Sequence, residues 1–140
     1  YPLRRQRQMC IRDRFQLVRE GAYRRHLNVL RTRLADAMGQ VMPRLRSAGL
    51  EPWVEPSAGL FLWTRLPAGL CAKDVARAAL DEELVLAPGE GFSPETANSR
   101  YLRLNVAQSL DDDVFRALDR AMERAAKERV AKERTARDRD

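Results

Sequence analysis

Leu84-Val-Leu-Ala-Pro-Gly-Glu-Gly-Phe92, followed eight residues later by Tyr101-Leu-Arg-Leu-Asn-Val-Ala107, decides how this chain is read. The second piece has the pattern of an apolar strand with one cation set into it. Alternation sends Leu102, Leu104 and Val106 to one face and Tyr101, Arg103 and Asn105 to the other. A guanidinium against apolar surface is costly unless an anion meets it. Its planar fork suits a carboxylate held by two parallel hydrogen bonds. Arg103 is therefore a candidate carboxylate receptor, and Asn105 stands on the same face to help orient it. The competing reading is a structural ion pair with an internal acid such as Glu55 or Asp81.

Downstream of this strand, Ser109 with Asp112 three residues on predicts a capped helix, and Asp111, Asp112 and Asp113 suit its positive end. Val114, Phe115, Leu118, Met122 and Ala125 give that helix an apolar stripe. After about Ala126 the chain is charged, and 127–140 reads as a solvated, disordered tail. Upstream, Leu84–Ala87 reads as a short buried strand stopped by Pro88-Gly89, with 88–100 a loop. Ala72–Glu83 reads as a helix with Val75, Ala76, Ala79 and Leu80 inward. Leu60–Leu66 is the clearest strand, and Pro52–Pro56, bounded by prolines, is at most an edge. Phe15 to about Ala48 reads as one long amphipathic helix, stepping through Tyr23, Leu27, Leu30, Leu34, Ala37, Val41 and Leu45. Pro43 should kink it or start a new turn, and Gly49 should end it with a left-handed cap. The order implies an α/β (α+β) sandwich: a small mixed sheet of three or four strands covered by helices on one face, with a long N-terminal connector helix.

The composition bounds the function. With 140 residues, 44% of them hydrophobic and 33% charged, the chain has room for one globular domain. No apolar run approaches the roughly 20 residues of a membrane span. No signal peptide is visible, so a cytoplasmic protein without membrane partners is expected. The net charge of +6 sits at the ends: 1–14 carry five arginines against one aspartate, and 127–140 six basic against four acidic groups. The body, 15–126, is electrically neutral, which argues against a nucleic-acid-binding module. Cys10 and Cys71 give neither a disulfide framework nor metal-ligand spacing. Residues 4–14 resemble the translation of a sequencing adapter. On that reading 1–14 is a non-native segment, the domain is 15–126, and the natural chain is truncated on its N-terminal side.

Three pieces, Pro56-Ser-Ala-Gly-Leu-Phe-Leu-Trp63, Val85–Phe92 and Tyr101–Gln108, carry a family resemblance. From about Tyr23 to Ala125 the chain resembles the C-terminal small domain of fold-type I, pyridoxal-phosphate-dependent aminotransferases of class I and II. The Leu-Ala-Pro-Gly and Asn-Val-Ala-Gln-Ser variants look most like the aminotransferase-like domain of MocR/GntR-type transcriptional regulators. The resemblance implies that Arg103 binds the α-carboxylate of an amino acid. It also implies that Ala58, Gly59 and Phe61 approach the substrate side, with Asn105 beside Arg103 to orient its fork, and that Gly89 to Phe92 form a loop near the entrance. It further implies pyridoxal 5'-phosphate in the full-length parent, amino-acid and 2-oxo-acid substrates, and a homodimer. In the alternative, the domain senses an effector while a missing upstream domain reads DNA.

Other residues have ordinary readings. A pyridoxal-phosphate enzyme needs a lysine to hold the cofactor covalently. Lys73, Lys127 and Lys132 all look solvent-facing, so no cofactor contact, catalytic residue or metal ligand is expected in this chain by itself. His26 reads as a surface or core residue, Cys71 as a cap or packing position, Arg65 and Arg100 as solvated, and Trp53 and Trp63 as core or interface anchors. Gly89-Glu-Gly91 is too short for a phosphate cradle.

Overall fold

The computed structural model describes residues 2–19, 21–92 and 99–137. Helices α1 (Pro2–Arg19) and α2 (Ala22–Ser47) are followed by strands β1 (Glu51–Pro52) and β2 (Phe61–Arg65). Helix α3 (Ala72–Leu80), strands β3 (Ala87–Pro88) and β4 (Tyr101–Asn105) and helix α4 (Asp112–Arg137) complete the order. The strands form one sheet in the order β1-β2-β4-β3. All three pairings are antiparallel, where the sequence pattern suggests a mixed sheet. The correction has a topological cause. The α3 crossover joins β2 to β3 at the sheet edge beyond β4, so β4 separates these two strands, which run in the same direction.

Alternation builds the core. Leu62, Thr64, Leu102 and Leu104 point to one face and are buried there with Val41 and Leu45 of α2, Val75 and Ala79 of α3, and Phe115, Leu118 and Met122 of α4. Thr64 is tolerated because its hydroxyl donates to the Leu102 carbonyl at 3.2 Å. The other face, carrying Phe61, Trp63, Arg65, Tyr101, Arg103 and Asn105, is not closed over by these helices and stays exposed or half-buried.

The helix ends explain where expectation and structure agree or part. The long helix expected from Phe15 to Ala48 is two helices, because Gly21 takes φ +69° between them. Pro43 lies inside α2, which continues through it to Ser47. Gly49 (φ +75°) ends α2 as expected: its N–H reaches the Arg46 carbonyl and Leu50 N–H reaches Leu45, each at 3.0 Å. Leu45 and Leu50 are both buried beneath that turn. Only the second half of α2 packs on the core. Tyr23 and Leu30 remain exposed.

Glu83 (φ +56°) ends α3 by the same device, with Leu84 N–H bonded to the Ala79 carbonyl at 2.9 Å. That bond commits Leu84 to the helix end, so β3 begins only at Ala87 and Val85 is 83% exposed rather than buried. On α3 the buried face is Ala72, Val75, Ala78 and Ala79, and Leu80 is exposed. Ser109 does not cap α4. Its hydroxyl donates to the Asn105 carbonyl at 2.8 Å, and the Asp111 carboxylate accepts from Asp113 N–H at 3.0 Å instead. The stripe of α4 is buried through Ala125, as read from the sequence. The helix itself runs on to Arg137 as an exposed extension, where the pattern suggests a disordered tail, and 1–14 falls mostly in α1. Alternating charges four residues apart, Arg124 with Glu128 and Arg129 with Glu133, accompany that extension.

Candidate functional site

Arg103 occupies the middle of β4, flanked by Trp63 of β2 on one side and Ala87 of β3 on the other. It is half-buried on the face that the helices leave open. Its guanidinium carbon lies over two aromatic rings, 4.5 Å from the centre of Phe61 and 4.1 Å from that of Phe92. Phe61 comes from β2, and Phe92 from the turn that follows β3, the two strands that flank β4. A guanidinium over an aromatic face is favourable and weakly hydrated, which suits it to partial burial.

The surrounding aromatics brace this arrangement. Trp63 stacks on Tyr101 with centroids 5.7 Å apart and planes 10° from parallel. Trp53 meets Tyr101 edge-on at 5.6 Å, and Phe92 meets Trp63 edge-on at 5.9 Å. A four-ring chain thus runs from the sheet edge to the guanidinium, each contact adding orientation beyond simple burial. Trp53 and Trp63 therefore act as anchors, as the sequence suggests, but of the open face rather than the helix-covered core.

Both acids named as structural partners for Arg103 are engaged elsewhere. Glu55 pairs with Arg46, and Asp81 lies 2.8 Å from Arg124. Among the described residues no carboxylate stands within ion-pair distance of Arg103. Beside it opens a cavity of about 560 Å³, lined by Phe61, Leu84, Leu86, Arg103, Asn105 and Gln108 among others. The walls mix apolar side chains (Leu84, Leu86 and Val114 among them) with Asn105, Gln108 and Ser109, and the lining carries one cation, Arg103, and one acid, Glu83, which fits a small molecule with both polar groups and an apolar part.

The structure thus brings Arg103, Asn105, Phe61 and Phe92 together. Asn105 lines the cavity, although its side-chain oxygen already accepts from Ala107 N–H at 3.1 Å. Gly59 does not line it. Its φ of +145° marks the entry to β2, where Val106 N–H bonded to the Leu60 carbonyl at 2.9 Å extends the pairing. Gln108 and Leu86 line the cavity without having been singled out as site residues. Gln108 lies in the quoted motif, but only the short turn Val106–Gln108 after β4 brings it there.

Elsewhere the charged groups are structural. Arg65 hydrogen-bonds Glu51, which holds the Glu51 carboxyl below its ordinary range and raises Arg65. Arg100 is half-buried rather than solvated, donating to the Leu66 carbonyl at 3.3 Å. Lys73, Lys127 and Lys132 are exposed and line no part of the Arg103 cavity, so this chain's own residues do not fit a covalently held pyridoxal phosphate there. His26 is exposed on α2, and Cys71 precedes α3 without a side-chain capping bond. Among the described residues no cluster of His, Cys, Asp or Glu has the makings of a metal site, and no helix is long and apolar enough to cross a membrane.

Comparison with known proteins gives no matching family model. The chain is 31% identical over 113 residues to the 2-aminoadipate transaminase of Thermus thermophilus, covering 80% of this chain and 28% of that one. It is 36% identical over 87 residues to the HTH-type transcriptional regulator YdcR of Escherichia coli, covering 61% of this chain and 19% of the regulator. Among solved structures it is similar to the α-aminoadipate aminotransferase LysN of Thermus thermophilus, crystallised with N-(5'-phosphopyridoxyl)-L-leucine. That match has a TM-score of 0.58 and 28% identity, over 83% of this chain and 30% of LysN. The chain therefore spans less than a third of the relatives it matches.

Proposed function

Since this chain matches the C-terminal part of fold-type I aminotransferases in sequence and in fold, we propose that it supplies the carboxylate-binding half of an amino-acid site within a longer, pyridoxal-phosphate-dependent aminotransferase. The observation that carries this reading is Arg103: half-buried against Phe61 and Phe92, lining a cavity of mixed apolar and polar walls, with Glu55 and Asp81 committed to other cations. Its fork takes both oxygens of an α-carboxylate, which fixes the direction of the bonds at the neighbouring carbon. The rings beside the guanidinium reduce its contact with water, and each hydrogen bond strengthens as its surroundings dry. Positioning of this kind contributes to rate by holding the reacting carbon in one orientation. The contacts to the cofactor are assigned to the part of the longer protein that this chain does not span, and that protein is proposed to act as a homodimer.

The identity to YdcR favours a second reading, in which the same cavity senses an amino acid or a related effector for a transcriptional regulator. Both readings give Arg103 the same task, and they differ in what the longer chain carries. In that longer protein Arg103→Ala should weaken amino-acid binding at least about tenfold, the loss of a charge-assisted hydrogen bond at the least, and leave cofactor affinity unchanged. Isothermal titration with each ligand separates the two effects. Unaltered amino-acid affinity would remove Arg103 from the site. Turnover of an amino acid and a 2-oxo acid by the unaltered protein supports the enzyme, and amino-acid-dependent DNA binding without turnover supports the regulator.

A further inference from the structure

We infer that Phe61 and Phe92 act on the guanidinium of Arg103 as positioning residues that make the site selective for planar carboxylates over tetrahedral anions. The inference rests on the reading of Arg103 as a carboxylate receptor and goes beyond it. An anion approaches a guanidinium either in its plane, through paired N–H donors, or loosely from above a face as a point charge. Here the rings of Phe61 and Phe92 lie with centroids 4.5 Å and 4.1 Å from the guanidinium carbon and are inferred to cover its faces. On that arrangement the edge of the fork is the approach left to an anion. Two coplanar acceptor oxygens match that edge, and a carboxylate presents them with no third oxygen. A phosphonate or sulfonate carries a third oxygen out of the plane, directed at one of the rings, and loses contact with the fork or displaces the phenyl group.

The brace behind the rings makes displacement unfavourable for Phe92. Its ring meets Trp63 edge-on, and Trp63 is stacked on Tyr101, which in turn meets Trp53. Moving Phe92 therefore breaks an aromatic contact as well as the one to Arg103. Both phenylalanines are 48% exposed, so either can be altered without opening the core beneath Leu62 and Leu104.

Hexanoate, pentylphosphonate and pentanesulfonate share one apolar tail and separate head-group shape from charge. The sulfonate has the charge of the carboxylate, and the phosphonate has more. Titrated into the chain and followed by NMR at the Arg103 side-chain Nε–H, assigned by its loss in Arg103→Lys, hexanoate is expected to bind about tenfold more tightly than either, one fork hydrogen bond being lost. In Phe92→Leu the ratio should fall towards one while hexanoate still binds, and Phe92→Tyr should restore it. A Phe92→Leu variant with unchanged selectivity, or parent affinities within threefold of one another, overturns the role given to the rings and leaves Arg103 as a receptor. No response of Arg103 to any of the three anions overturns the receptor reading itself, and this inference with it.

Discussion

Arg103→Lys isolates what the guanidinium contributes beyond its charge. A lysine at this position of β4 keeps the positive charge but has neither the fork nor the flat surface that lies over Phe61 and Phe92. Two terms are lost. One of the two parallel N–H···O bonds to the carboxylate is worth about 1.5 kcal/mol when charge-assisted. Stacking on two half-exposed rings, which holds the cation in its binding orientation, is worth about 1 kcal/mol in all. Together they amount to about 2.5 kcal/mol, a weakening of carboxylate binding by somewhat under a hundredfold. The assay is a hexanoate titration of both chains, read from the indole N–H of Trp63, which stands opposite position 103 and survives the substitution. A change below about threefold would mean that the site senses only charge, and the argument from the planar fork would fail.

Other consequences can be measured on the chain itself. Gly49→Ala puts a side chain at φ +75° in the turn that ends α2 and should cost about 1 kcal/mol of stability by chemical denaturation, whereas Gly39→Ala inside the same helix should stabilise slightly. Leu62→Ala empties a position only 2% exposed beneath the sheet and should cost about 2–5 kcal/mol, with carboxylate affinity little changed among molecules that remain folded. The hydrogen bond from Arg65 lowers the Glu51 carboxyl, so its stabilising effect is present above the ordinary carboxylate range and is lost as pH falls through the lowered value. NMR titration of Glu51 should move back up to the ordinary range in Arg65→Gln, and an unmoved titration would exclude Arg65 as the cause.

What the amino-acid sequence determined by itself is whatever depends on local chemistry and alternation. The face on which Arg103, Asn105 and Phe61 stand follows from the period of two in their strands, and the end of α2 follows from the one residue, Gly49, that adopts φ +75° without strain. Helix identity in α3 and α4 follows in the same way from spacing, although the inward face of α3 is shifted and Ala78 replaces Leu80 in the core. The all-antiparallel pairing, the late start of β3 and the placing of Gln108 in the cavity were decided only by the tertiary structure. Each depends on where a backbone hydrogen bond goes once the chain is compact. Leu84 N–H, for instance, closes α3 instead of opening a strand. The aromatic surroundings of the Arg103 guanidinium are of the same kind, because Phe61 and Phe92 lie far apart in the chain and both reach Arg103 only when the sheet has formed.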